Sequence, residues 1–411
     1  MDNTKTNNIL SRLMTVSVIV ASLGYFVDVY DLILFSIVRS ASLKSMGYQG
    51  QQIMDYGVLL LNVQMVGMLL GGIIWGVLGD KKGRVKILFA SILLYSIANI
   101  VNGFVQTIEG YTICRFIAGL GLAGELGVAV TLVLEILPKD IRGYGTMVVA
   151  TIGVSGAVAA NLVAKFFDWR SAYIIGGVLG TLLLVLQMKV SESAAFTHSQ
   201  NTAVKKGNFF AFFTNKIRFY RYMKSIFIGL PIWFSLSVLI TFSPEFAKAL
   251  KINGVINAGD AVMYYYIGAS IGDLVTGFLS QYLKSRKKIL FYSITLLALM
   301  IAVYLIQYDI SVSTFYIICF LTGLPAGYWA VFVTVSAEQF GTNLRATAAS
   351  TIPNFVRGFV VPITLLFQMF VYMTNIKMSG AIVGGICLVI AFIALLRLEE
   401  TYHKELDYEE E

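Results

Sequence analysis

About twelve stretches of roughly 20 apolar residues, set apart by short polar or glycine-marked breaks, run through this sequence from end to end. A stretch of that length crosses the hydrocarbon core of a bilayer as a helix. The expected spans in the first half are 14–38, 57–79, 85–107, 110–136, 144–166 and 169–189. Those in the second half are 223–248, 260–283, 289–308, 313–337, 347–372 and 378–396. The chain is 57% hydrophobic and 13% charged, where a soluble chain carries about 25% charge. No soluble domain is visible, and the longest polar stretch, about 30 residues, lies near Ser191–Lys224. The opening MDNTKTNNILSR is polar with no cleavable signal pattern, so the first apolar run reads as a retained span.

The fold class this implies is an all-α membrane protein of twelve transmembrane helices in two pseudo-symmetric six-helix bundles. The expected domains are 1–189, a linker at 190–222, and 223–411 with a short tail. Lysine and arginine set the orientation. With the N-terminus inside, 22 of the 31 fall in cytoplasmic segments, 7 in outer loops, and Arg115 and Arg357 within spans. Both termini are therefore expected in the cytoplasm, and the net charge of +8 reads as topology, not nucleic-acid binding. Cys114, Cys319 and Cys387 all lie in apolar spans, which argues against disulfides or a metal cluster. His198 and His403 lie outside the spans, so proton chemistry at membrane depth falls to carboxylates.

The halves echo each other. Glu135 and Arg142 close span 4 at the same spacing as Glu338 and Arg345 close span 10. GVLGDKKGR at 76–84 has a degraded copy, GFLSQYLKSRKK, at 277–288, with Gln281 in place of the aspartate. Parallel repeats of six helices are a transporter architecture.

GGIIWGVLGDKKGR (71–84) resembles the signature between helices 2 and 3 of the major facilitator superfamily. RFIAGLGLAGELGVAVTLVLEILPKDIRG (115–143) resembles the helix 4 signature of its sugar-porter and metabolite:proton-symporter branches. GYFVDVYD in span 1, Gly124–Glu125 and AEQFGTNLRATA (337–348) lean toward the metabolite:proton symporters, and SESAAF (191–196) is a weak helix 6 motif. The resemblance covers essentially the whole chain. It implies alternating access around a central site, and an aspartate of span 1 paired with the helix 4 arginine.

A charge at membrane depth costs at least about 2.5–3.5 kcal/mol and normally faces a cavity or a partner. At 1.5 Å per residue, Asp31 and Arg115 lie at matching depths, so a pair that protonation breaks is expected there. A static pair that fixes helix packing is the alternative. Asp28 lies deeper, near the midplane, as the main proton site or a ligand for a substrate cation. Glu125, about 15 Å further in than Arg115, is either a second proton site or a neutral glutamate bonded to a neighbouring helix. Arg357, with Asn354 one turn away, would hold a substrate carboxylate, or else pair with Asp28 or Asp273. Tyr328, Trp329, Trp233, Asn62 and Gln64 are further candidates for the substrate site, although membrane aromatics more often only pack. Asp80, Arg84, Glu135, Arg142, Glu338 and Arg345 sit at adjoining cytoplasmic helix ends and would form a gate there, or serve only to anchor topology.

The reading is a proton-coupled symporter for a small polar metabolite, carboxylate-bearing, in a plasma membrane of the bacterial inner-membrane kind. Efflux and uniport are the alternatives within transport, and a transport-like nutrient sensor is a remote one. Nothing suggests an enzyme, since no nucleophile–base set lies at depth. No GxxxxGK[ST] nucleotide loop is present. No cofactor is called for. The expected partners are a small-molecule substrate, protons and the lipid bilayer, with the chain acting as a monomer.

Overall fold

The computed structural model describes residues 15–82, 84–127, 129, 133, 137, 142–187 and 209–402. They are helical almost throughout. Span 1 is Val16–Ser45, span 2 Gln51–Lys82, span 3 Arg84–Asn102, and span 4 begins as Ile108–Leu122. Span 5 is Arg142–Val154 followed by Gly156–Phe166, and span 6 is Trp169–Gln187. Span 7 runs through Lys216–Ile228, Leu230–Phe234 and a wider turn at Ser235–Ile240; span 8 is Ala258–Tyr282 and span 9 Arg286–Ile306. Span 10 is Val312–Ala326 then Trp329–Glu338, span 11 Thr342–Gly358 then Val360–Met373, and span 12 Ile376–Leu396. Ten stretches among the described residues are long and apolar enough to cross a membrane. Span 8 and the described part of span 4 complete the set of twelve.

Local chemistry starts and breaks these helices. Thr107, Asn215, Asn257, Ser285, Ser311 and Asn375 each accept a hydrogen bond from a first-turn amide, satisfying donors that the helix leaves free. Pro231 follows the kink at Gly229, where its ring removes a donor and clashes with the turn before it. Span 10 breaks at Gly327–Tyr328, while Pro353 is accommodated within Thr342–Gly358. Hydrophobicity alone sees neither effect. Span 1 therefore runs seven residues beyond its apolar limit of 38, and span 7 starts at Lys216 instead of 223.

Glycine sets the closest packing. Spans 2 and 4 meet where Gly67 and Gly71 lie against the carbonyls of Phe116 and Leu120, and Gly119 lies against that of Gln64. Spans 8 and 10 repeat this: Gly268 and Gly272 lie against the carbonyls of Phe320 and Leu324, and Gly323 against that of Tyr265. A β-carbon at any of these six would collide with backbone. Small residues are what let helices approach in lipid, where no hydrophobic force drives them together. Each position in the first set maps onto the second at a constant offset along its helix, so the two bundles share one interlock. Around it, span 3 packs on spans 4 and 6 and span 1 on spans 5 and 6, while span 9 packs on spans 10 and 12. The bundles meet along spans 2 and 11, and along span 8 against spans 5 and 1.

After span 12 the chain crosses the end of the second bundle. Glu400 accepts from the Ser285 hydroxyl at 2.5 Å and from the amides of Arg286 at 2.9 Å and Lys287 at 3.2 Å, which seats a carboxylate on the N-terminus of span 9. Burial pushes its pKa up, but the donors of Ser285, Arg286, Tyr402 and Lys287 outweigh burial and hold it below the ordinary 4.5. A depressed pKa stabilises the fold fully above the unfolded value, and the gain is lost as pH falls through the folded one. Glu400→Gln should therefore melt roughly 2 °C lower than the wild type in detergent near neutral pH. The gap should close as the pH is taken below 4.5.

Candidate functional site

A small cavity of about 40 Å³ lies between the two bundles. Span 1 lends it Tyr25, Val29 and Leu32, which share one helix face at i, i+4 and i+7. Span 7 adds Trp233 and Leu236, span 8 Tyr265, Tyr266 and Asp273, span 10 Trp329, and span 11 Arg357. The space admits water but not a metabolite, whose sites run to about 300–1,000 Å³. This is a closed state.

Arg357 dominates the cavity. Its guanidinium carbon lies 5.6 Å from the Trp233 ring and 5.7 Å from the Trp329 ring. Its Nη1 donates to Asn354 Oδ1 at 3.2 Å, and its Nη2 lies 3.9 Å from Asp28 Oδ2. Arg357 is 1% exposed and Asp28 fully buried. The charges balance, yet 3.9 Å is too long for a hydrogen bond. Both Asp28 oxygens and Arg357 Nε have no hydrogen-bond partner among the described residues. The pair is held by attraction alone, and each partner keeps capacity for a third group. Of the alternatives open for Arg357, the internal partner is thus present as Asp28, together with a guanidinium that faces the cavity.

The two aspartates of span 1 point to different places. Asp31 is fully buried inside the first bundle, against Gly176 of span 6, and neither oxygen has a hydrogen-bond partner. Arg115 lies within electrostatic reach of it. No ion pair joins them among the described residues: Arg115 Nη2 donates to Asn99 Oδ1 at 2.6 Å, and its guanidinium sits 4.3 Å from the Tyr173 ring. The direct Asp31–Arg115 contact expected from depth is absent from this state: Asn99 of span 3 takes Nη2, and Arg115 Nε and Nη1 have no partner among the described residues. Glu125 is buried beside Gly24 and accepts from the Tyr95 hydroxyl at 3.3 Å.

The other sequence candidates divide. Trp233 and Trp329 wall the cavity; Trp329 Nε1 donates to the Tyr25 hydroxyl at 3.0 Å, and Trp233 Nε1 has no partner. Asn354 does not line it, but holds Arg357 and donates to the Ala123 carbonyl of span 4 at 2.9 Å. Tyr328 is turned away and donates to the Ile228 carbonyl at 2.8 Å. Asn62 accepts from Thr364 at 2.6 Å and stitches spans 2 and 11. Gln64 donates to the Leu32 carbonyl at 3.3 Å. Sequence reasoning passed over Tyr25 as a site residue, although its position one turn before Asp28 was a usable signal.

Both ends of the cavity are shut. At the end carrying Arg39, that side chain reaches from span 1 to Glu245 Oε1 at 2.7 Å and to the Thr241 carbonyl at 3.2 Å, with the Phe242 ring 4.4 Å away. Asp55 of span 2 accepts from Gln368 at 2.8 Å and Tyr372 at 2.9 Å, and Asp260 of span 8 pairs with Lys165 and Asn161 of span 5. These latches also escaped the sequence, because Arg39 and Glu245 are 206 residues apart and each looks like an ordinary helix-end charge. At the opposite end, Asn354 reaches Ala123, and Gly277 lies against Met147. There Glu338 faces Arg286 at 3.4 Å and accepts from Thr401 at 2.6 Å, while Arg345 Nε donates to the Phe340 carbonyl at 3.2 Å. Arg286 of span 9 joins this cluster, also donating to Ser280 at 2.8 Å within the second bundle. Glu135 and the side chains of Asp80, Arg84 and Arg142 lie outside the described residues.

The sequence profile of the Major Facilitator Superfamily matches residues 21–363. The chain belongs to the major facilitator superfamily. It is a multi-span membrane transporter of small-molecule substrates and not an enzyme. It is 30% identical to the niacin transporter NiaP of Acinetobacter baylyi over 181 residues, which is 43% of this chain and 40% of that protein. It is 24% identical to a probable 4-methylmuconolactone transporter of Cupriavidus pinatubonensis over 92% of this chain and 89% of that one. In fold it matches the proton:xylose symporter XylE with a TM-score of 0.75 at 16% identity, covering 97% of this chain and 98% of that one.

In a facilitator the closed state must open to load. Glu245 is the weaker-buried partner of the Arg39 latch, at 25% exposure against 1%. Removing its charge leaves a buried guanidinium unpaired, a loss of roughly 1–2 kcal/mol for a partly exposed pair. Glu245→Gln should raise labelling of a Leu236→Cys reporter by a membrane-impermeant maleimide roughly tenfold. The native cysteines are buried, and the wild type without the reporter is the labelling control. No change in labelling would show that the latch does not hold the end shut.

Proposed function

We propose that this facilitator takes up a small ring-bearing carboxylate together with a proton. The observation that carries the reading is Arg357, buried between two tryptophan rings, facing the cavity and only loosely paired with Asp28. A planar donor fork suits a carboxylate, and the flanking indoles offer flat apolar walls to a ring. Relatives named for niacin and for 4-methylmuconolactone, both ring acids, support the same class.

Coupling follows from competition. A substrate carboxylate that takes Arg357 strips Asp28 of its counter-ion. A carboxylate left alone in a water-poor site is neutralised by a proton. Substrate and proton then load together, and the site crosses the membrane without an excess charge. Asp31 and Arg115 form the second proton station, with Asn99 holding Arg115 while Asp31 is uncommitted; Glu125 is the station nearest the other end. The Lys and Arg distribution puts the Arg39 end outside and both termini in the cytoplasm. The two six-helix halves, the second beginning with span 7 at Lys216, rock about the cavity.

In proteoliposomes, labelled nicotinate or benzoate should accumulate only under an inward proton gradient. Gradient-independent equilibration would refute coupling and leave a uniporter. Arg357→Lys should raise the KM at least roughly tenfold by replacing the fork with a point charge; an unchanged KM would dismiss the carboxylate site. Asp31→Asn should lose accumulation but keep exchange of substrate across the membrane.

A further inference from the structure

Asp273 is the one charged group lining the cavity that the loading cycle above does not use. Resting on the ring-carboxylate reading, we propose that the substrate carries a second feature, an O–H or N–H donor on its ring, which Asp273 recognises.

The geometry assigns this role in three steps. Asp273 is 1% exposed, and its Oδ1 accepts from the Ala330 amide at 2.9 Å, just past the break in span 10. That bond fixes the carboxylate. The second oxygen, Oδ2, has no hydrogen-bond partner among the described residues. A buried carboxylate oxygen without a donor is costly, and ligand sites are where such costs are tolerated.

The other unpartnered side-chain atoms that line this space have the opposite character; Asp28, whose oxygens are also unpartnered, sits behind Arg357 and does not line it. Arg357 Nε and Trp233 Nε1 are donors. An occupant that satisfies all three atoms must therefore accept at one end and donate at the other. A plain hydrocarbon acid leaves Asp273 unmet. Between the two ends lie Tyr25, Tyr265, Tyr266 and Trp329, which suit a flat ring.

The fold does not need a carboxylate at this position. In the shared glycine interlock Gly272 corresponds to Gly71, so the counterpart of Asp273 in the first bundle is Gly72, which has no side chain. The first bundle makes the same helix break, at Ala123–Gly124, with no side chain at the Gly72 position, and the Glu125 that follows the break is turned to Tyr95. Capping alone leaves Asp273 unexplained, because the equivalent break forms without it.

The test uses the full-length protein in proteoliposomes and matched competitors. Labelled substrate exchange is challenged with benzoate, with its 3- and 4-hydroxy and amino derivatives, and with the size-matched methyl and methoxy derivatives, which do not donate. Donor-bearing acids should compete at roughly tenfold or lower concentration than their non-donating partners. Asp273→Asn should shrink that advantage to about twofold or less. The wild-type comparison decides the matter even if the variant fails to fold: no preference for a donor overturns the proposal. A variant that weakens every competitor equally, or that exchanges normally and no longer accumulates, also overturns it and makes Asp273 a packing or coupling residue. If none of these acids competes, the ring-carboxylate reading falls and this proposal falls with it. If benzoate competes without any donor preference, only this proposal falls.

Discussion

An arginine buried at membrane depth has to be matched, and Arg357 is matched across the boundary between the two bundles. Its carboxylate neighbour, Asp28, belongs to span 1, its amide support, Asn354, also bonds span 4, and its aromatic walls come from spans 7 and 10. In the loading cycle proposed above, the attraction that draws the halves together at the midplane is the one a substrate competes for. Because the contact stops at 3.9 Å, it can be exchanged without first breaking a hydrogen bond.

Stiff and loose parts are arranged around that exchange. Spans 2 with 4 and 8 with 10 are locked backbone to backbone by glycine, and no side-chain rearrangement can slide them. The contacts that join one bundle to the other include close glycine packing, as at Gly72 against Asn354, but add links of another kind. Arg39 with Glu245, Asp55 with Gln368, Asp260 with Lys165 and Asn62 with Thr364 are polar side-chain links that water can replace. Movement between rigid bundles is cheaper than movement within them.

Helix count, repeat and orientation bias were legible because bilayer thickness and charge leave coarse marks on sequence. Asp28, Arg357, Trp233 and Trp329 were legible for the same reason: polar or bulky groups at midplane stand out against an apolar background. What stayed hidden depends on rotation about a helix axis or on contacts far apart in the chain. Asp31 and Asp28 differ by 60° or so of rotation, and that difference sends one into the first bundle and the other to the cavity. Tyr328 and Trp329 are adjacent, yet the break between them turns one toward Ile228 and the other toward Tyr25. Asn99 lies in an ordinary apolar span, and nothing in its neighbourhood announces that it takes the donor of Arg115.

The small size of the central cavity has a consequence for energy conservation. A carrier that kept a wet passage through its middle would let hydronium and ions slip down the gradient whenever cargo was scarce. Here the protein closes on a space of about 40 Å³, with Arg39 and Glu245 at one end and Asn354 and Ala123 at the other. In this closed state the passage is barred at both ends, as a carrier that holds a gradient requires.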